Sequence, residues 1–313
     1  MFEIRIYRES LKNEWNEHIA RSKNGTFLTD RNYMDYHSDR FKDFSLMFYS
    51  KDKLSAVLPG NIKDNVYYSH QGLTYGGLII DSKCKTADVC RIFEEANTFL
   101  KGRGIKKIVY KPAPWIYATV PAEEDLYAIT NVCHGRIAGR DISSTIILGN
   151  KPKFSELRRR CMKKAKATGI EIKESNDIAT FWKILDNNLE NKYGVAPVHT
   201  CGELELLAGR FPENIKLYMA YLGEEALGGT VTYINKQTVH TQYISASPKG
   251  KSLGALDLLF SELINNVFTD YTYFDFGKST EREGTYLNEN LIFQKEGFGG
   301  RGVCYDTYEW EPL

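Results

Sequence analysis

The sequence predicts an α+β fold built as a tandem duplication, each unit a mixed sheet flanked by helices. Three observations lead there. Short β-branched and aromatic runs alternate with segments whose apolar residues fall at i, i+3 and i+4. The order helix, helix, three strands, helix, strand, helix occurs twice. Its offset is nearly constant, setting Phe44 against Lys216 and Lys107 against Thr272. A cationic segment, residues 151–166, lies between the halves. The units are accordingly expected at 1–145 and 146–313.

The opening alternation over residues 2–7 reads as a strand. Ser10 is the expected N-cap of a helix carrying Leu11, Trp15 and Ile19 on one face. A second helical piece is expected near 31–37, then strands at 44–50, 54–62 and 66–70. A helix capped by Thr86 ends at Gly102-Arg103-Gly104. A strand at 107–111 and a helix near 123–132 complete the first half. In the second, a helix over 178–193 bears Phe181, Trp182, Leu185 and Leu189. A helix at 202–210 follows, then strands at 216–222, 227–234 and 239–245. One long helix is expected over 253–268, a strand at 271–276, the segment 286–295, and a last strand at 303–310.

Composition excludes several classes. The chain has 313 residues and a formal net charge of +1, so no global field draws it to nucleic acid. Aromatics make up 13%, enough apolar surface to offset the entropy of ordering and argue against disorder. No apolar run approaches the roughly 20 residues of a membrane-spanning helix. No basic-then-apolar leader is visible at the N-terminus. The cysteines (84, 90, 133, 161, 201 and 304) form no Cys-x-x-Cys pair. They read as reduced structural thiols in a cytoplasmic protein, and no metal is expected.

The cationic segment holds eight Lys or Arg residues and the single acid Glu156. Leu157, Cys161 and Ala165 form its apolar stripe, and Arg159, Lys163 and Lys166 form a cationic one. Such a helix either solvates its charges or holds an anion. In Ser247–Leu259, Gly250-Lys251-Ser252 suggests a P-loop, but Ser245 stands where that motif needs Gly. What remains is a strand, a loop and a helix start. Lys249, Gly250, Lys251, Ser252 and Gly254 are expected there as a phosphate cradle.

His240 and Gln242 are expected on one strand face, with His240 a candidate general base. Asp275, in the triplet Asp275-Phe276-Gly277, is an acid, base or anchor; no other kinase motif accompanies it. Tyr243 is a candidate proton donor. His70, just before GLTYGG, and Tyr75 within it are candidate substrate contacts. His199 is placed on a loop lining the site. No nucleophile elbow and no zinc motif occurs, and GFGGRG follows a predicted helix rather than a strand.

Taken in order, several segments resemble the FemAB/FemX-type acyltransferases of the GCN5-related N-acetyltransferase (GNAT) superfamily. They are FSELRRRCMKKAKATGIEI, HTQYISASPKGKSLGALDLLFSELI, YFDFGKST and FQKEGFGG, with GLTYGG and IVYKPAP in the first half. The resemblance implies two GNAT-like units with mostly antiparallel sheets. It implies direct acyl transfer from an activated donor to an amine, with Lys295 near the developing charge. Acyl-CoA, such as acetyl-CoA, is the expected co-substrate, and aminoacyl-tRNA is the alternative, less favoured because no long helical arm is visible. The acceptor is expected to be a nucleotide-sugar or lipid-linked cell-envelope (peptidoglycan) intermediate held by Arg159, Lys163 and Lys166. The competing expectation is a non-catalytic module that binds phosphorylated ligands through the basic helix.

Overall fold

The computed structural model describes residues 2–193 and 197–312; for residues 189–193 the backbone alone is described. Leu189, expected on an apolar helix face, lies among those side chains. The chain forms two compact units. The first comprises Met1–Asp141, Glu281–Tyr286 and Cys304–Leu313, and the second Ile142–Thr280 and Leu287–Val303. Sequence order had assigned 281–286 and 304–313 to the second unit. Strand pairing gives the last segment to the first, since Tyr308 and Trp310 sit opposite Tyr110 and Ile108.

The first unit contains strands β1 (Glu3–Ile6), β2 (Leu46–Ser50), β3 (Lys53–Leu58), β4 (Asn61–Lys63), β5 (Val66–Tyr68), β6 (Ile79–Ile80) and β7 (Lys107–Tyr110). Its helices are α1 (Lys12–Arg21), α2 (Arg31–Met34), α3 (Thr86–Lys101) and α4 (Glu124–Asn131). One sheet has the order β1-β2-β3-β6, all antiparallel. β5 and β7 pair in parallel, joined through α3. Helix α3 buries Val89, Ile92, Phe93, Ala96 and Leu100, the stripe that its apolar spacing requires.

Two caps differ from expectation. Ser10 lies inside a short 3-10 turn, Glu9–Leu11, and Leu11 precedes α1. Thr86 is the first residue of α3; the Asp88 carboxylate accepts from the Lys85 N–H at 3.1 Å instead. A neighbouring acid at the third helical position satisfies the same orphan donor.

The second unit follows with β8 (Arg136–Ile147), α5 (Glu156–Ala167), β9 (Glu171–Ser175), α6 (Ile178–Tyr193), α7 (Cys201–Arg210), β10 (Ile215–Leu222), β11 (Glu225–Ile234) and β12 (Thr238–Ala246). Then come α8 (Pro248–Leu253), α9 (Ala255–Glu262), β13 (Tyr273–Lys278), β14 (Thr280–Glu281), β15 (Tyr286–Leu287), α10 (Glu289–Glu296) and β16 (Arg301–Trp310). β8 and β16 each carry residues of both units. β9 and β8 were not expected. Both are rich in charged or hydroxyl residues, which blunts the alternation that marks a strand.

Within this unit β9, β10, β11 and β12 pair antiparallel in succession, and β13 pairs antiparallel with β8. β12 and β13 pair in parallel over Thr238–His240 and Tyr273–Asp275. Each unit thus repeats one strand–helix–parallel-strand step inside an otherwise antiparallel sheet. The core of the second packs Phe260, Leu263 and Phe268 against Val239, Phe274 and Phe276.

The single long helix expected over 253–268 is divided. Gly254 adopts φ 76° between α8 and α9, and residues 263–267 form a π-helical turn. A Cβ on Gly254 would meet the Cys161 carbonyl of α5 at 2.9 Å, so glycine lets the two helices close up. Gly250 is tighter still, since a Cβ there would lie 2.1 Å from the Leu227 carbonyl of β11.

Gly250→Ala is therefore expected to destabilise the protein by at least about 2 kcal/mol, because backbone sits on both sides of the clash. Urea unfolding of the variant and the wild type measures it; an unchanged midpoint would show that α8 does not need this approach to β11.

Candidate active site

β12 and β13 part after His240 and Asp275, and the side chains at that point form a connected cluster. Asp275 is fully buried. The parallel register sets it beside His240, and the antiparallel one beside Thr145. Its carboxylate accepts from Ser143 Oγ and from Thr145 Oγ1 at 2.8 Å on one oxygen. His240 Nδ1 meets the other oxygen at 2.8 Å. With the carboxylate ionised, Nδ1 is the donor, which leaves Nε2 as the acceptor nitrogen.

Just beyond, β13 is irregular between Asp275 and Lys278, and Gly277 takes φ 72°. A Cβ there would stand 3.0 Å from His240 Cε1, so glycine makes room for the imidazole. The kink presents carbonyls to Lys295 of α10. Its ammonium donates to Gly277 O at 2.8 Å and to Lys278 O at 2.6 Å. Lys295 is 4% exposed. Burial pulls its pKa down to about 8, against the opposing pull of Asp275. At neutral pH it stays charged, with one N–H beyond the two given to carbonyls.

A cavity of about 230 Å³ opens where the strands part. Phe260, Phe276, Phe298 and Lys295 line it as buried residues; Leu256 and Leu291 line it as half-exposed ones. Lys251 also borders it, donating to Asn188 Oδ1. The Asn188 amide, from α6, donates to Ser245 Oγ at 2.7 Å and Ala246 O at 2.8 Å. Asn188 thereby ties Lys251 to the end of β12.

The residues singled out from sequence separate into groups. His240, Asp275 and Lys295 cluster around the Gly277 kink, and Lys251 shares the cavity with Lys295. Lys249 instead pairs with Glu225. The Gly250 N–H caps onto Ser247 Oγ at 3.1 Å, and Ser252 Oγ donates to Lys249 O at 2.8 Å. The expected open phosphate loop is thus a helical turn whose groups are largely committed internally. A bulge in β12 inserts a residue opposite Val231 and Thr232. It gives Tyr243, rather than Gln242, the face of His240, because an extra residue reverses the alternation. Tyr243 packs on Trp182, and its hydroxyl receives the His199 N–H at 3.2 Å and meets His199 Nδ1 at 2.6 Å.

Arg159, Lys163 and Lys166 are exposed on α5, while Arg158 pairs with the buried Asp257 at 2.8 Å. His70 and Tyr75 belong to the first unit and are buried. His70 packs on His37 and Phe41, and burial drives its pKa down to about 3, so it is neutral. Tyr75 stacks on Tyr117 with centroids 4.7 Å apart. Neither lines the cavity described above. Sequence reading missed Ser143, Thr145, Asn188 and the kink at Gly277. The Ser143-Ser144-Thr145 run was a usable signal; nothing in the sequence marked Asn188. Among the described residues no group of three metal-ligating side chains occurs, and no helix is long and apolar enough to cross a membrane.

Comparison with known proteins agrees with this architecture. The family model of the acetyltransferase (GNAT) domain matches residues 153–285. No curated sequence matches the chain significantly. Among solved structures, FemX superposes with a TM-score of 0.69 at 9% identity, covering 99% of this chain and 97% of its own. The C-terminal domain of a putative lysylphosphatidylglycerol synthetase from Agrobacterium fabrum gives 0.62 at 10% identity, covering 96% and 92%. A tandem GNAT protein from the clavulanic acid biosynthesis pathway gives 0.51 at 10% identity, covering 100% and 99%. The segment that matches the GNAT domain, residues 153–285, contains His240, Lys251 and Asp275. The whole chain shares the fold of FemX.

Two outcomes follow from the cluster. Asp275→Ala strands Ser143, Thr145 and His240 without their acceptor and should cost about 3 kcal/mol or more in chemical unfolding; a loss below about 1 kcal/mol would mean the carboxylate is dispensable to the fold. Lys295 ordinarily titrates near 10.5 and here near 8. Between those values the unfolded chain binds the extra proton, so stability contributed at this residue rises with pH. Unfolding titrations at pH 8 and pH 10 should show that rise in the wild type and a flatter slope in Lys295→Met.

Proposed function

We propose that the second unit transfers an acyl group from acyl-CoA to an amine by direct attack. One observation carries this reading: the cavity at the parting of β12 and β13 is bordered by Lys251 and by the buried cation Lys295. The exposed Lys251 suits a phosphate-bearing donor at the mouth. The N–H of Lys295 not used on Gly277 and Lys278 suits the carbonyl oxygen, where negative charge grows. His240, held by Asp275, suits the amine proton. Asp275 is then a positioning residue, because both its oxygens are engaged and no solvent reaches it. The Tyr243 hydroxyl is close to His199 and suits a proton path better than a direct contact.

The amine nitrogen attacks the thioester carbonyl, forming the C–N bond. The tetrahedral adduct collapses with cleavage of C–S. The amine proton passes to His240 and leaves with the thiolate, giving an amide and free CoA. No covalent enzyme intermediate is needed, in keeping with the absence of a nucleophile motif.

Arg159, Lys163 and Lys166 offer exposed charge for a phosphorylated acceptor, and the name lysylphosphatidylglycerol synthetase makes a lipid-linked envelope intermediate the acceptor class of first interest. The lysyl group in that name is also why aminoacyl-tRNA remains the donor to test against acyl-CoA. The six unpaired cysteines fit a cytoplasmic setting.

Calorimetry with acetyl-CoA tests the donor. Saturable binding is expected in the wild type, weakened about tenfold in Lys251→Ala by loss of a phosphate contact. Absence of binding at millimolar ligand would overturn the acyl-CoA reading. Binding without CoA release in the presence of any amine would favour a non-catalytic module.

A further inference from the structure

The same cavity says something about the acyl group, an inference that rests on the acyl-CoA reading. Its wall is mostly hydrocarbon: Leu185, Ile244, Leu256, Phe260, Phe276 and Phe298. Three of these are phenylalanines packed on one another, with Phe260 and Phe276 centroids 5.0 Å apart and Phe276 stacked on Phe298 at 5.6 Å. All three are buried at 2% exposure or less, whereas Lys251 at the border is exposed. The deep end is therefore aromatic and the outer end polar.

The volume is about 230 Å³. That is room for more heavy atoms than an acetyl group brings. An acetyl group has three, and would leave apolar wall unfilled. The deep end also holds a cation. Lys295 has spent two N–H groups on carbonyls, and Asp275, which the structure commits to Ser143, Thr145 and His240, is the acid that acts on it. A second ammonium beside it, in a space of low dielectric, would be repelled strongly.

We propose that the cavity selects a neutral hydrocarbon acyl group longer than acetyl over both acetyl and any ammonium-bearing acyl group. The carbonyl oxygen turns to Lys295 and the chain lies against Phe260, Phe276 and Phe298. Transfer then joins that acyl carbon to the amine nitrogen and releases CoA thiol, with the atoms balanced as in the general reaction.

The test is a calorimetric series on the full chain with CoA, acetyl-CoA, hexanoyl-CoA and 6-aminohexanoyl-CoA. Hexanoyl-CoA is expected to bind about tenfold or more tighter than acetyl-CoA, since several methylenes leave water. 6-Aminohexanoyl-CoA is expected to lose that gain. Leu291→Trp, which enlarges a half-exposed wall residue, should lower the affinity for hexanoyl-CoA; the wild-type series decides the question even if that variant folds poorly. Equal binding of acetyl- and hexanoyl-CoA would overturn the selectivity while leaving the CoA reading intact. Equal binding of hexanoyl- and 6-aminohexanoyl-CoA would overturn the exclusion of cations. No binding of CoA or any thioester would overturn both readings together.

Discussion

Asp275 is wholly buried, and an ionised carboxylate in that setting must have both oxygens engaged by donors. It finds them on two neighbouring strands, Ser143 and Thr145 on β8 and His240 on β12. This one carboxylate therefore fixes the register of β8, β13 and β12 at the point where the last two separate. The imidazole orientation, the space left by Gly277 and the carbonyls that hold Lys295 all follow from that fixed point.

The parting makes the cavity. Parallel pairing of β12 with β13 ends at His240 and Asp275, so later residues of each strand turn their edges to other partners. Asn188 takes the β12 side, and Lys295 the β13 side. Aromatic residues from α9 and the segment after α10 fill the floor. A buried lysine is tolerated because carbonyls freed by the irregular strand accept its protons, and burial then draws its pKa toward neutrality. Packing, backbone irregularity and electrostatics are one arrangement here. The glycines at 250 and 254 serve it indirectly, bringing α8 and α9 close to β11 and α5.

Much of the fold was legible in the sequence. Helix α6 and the strands β10 to β12 stood out because their apolar spacing is regular, and the repeated order of elements pointed to two units. β8 and β9 were not legible, because polar residues that serve partners distant in sequence replace the apolar alternation. The break at Gly254 was hidden for a related reason. The apolar pattern runs through it, and only the approach of Cys161 on α5 explains the left-handed residue. For the candidate site, His240, Asp275 and Lys295 stood out in the sequence as polar residues in apolar runs, and the fold brings them together around Gly277. The glycines at 250 and 254, expected in a phosphate cradle, also answer to packing against Leu227 and Cys161, which no local pattern reports.

What the sequence by itself determined is local: where apolar stripes form, which segments are helical, and which polar residues lie among hydrophobic neighbours. What tertiary structure alone decided is which of them meet. Ser143 and Asp275 are 132 positions apart, and Asn188 and Lys251 are 63 apart. No periodicity reports on such pairs, because they are set by strand register and by a single bulged residue. A one-residue insertion in β12 exchanges Gln242 for Tyr243 beside His240, and that exchange is visible only once the neighbouring strand is in place.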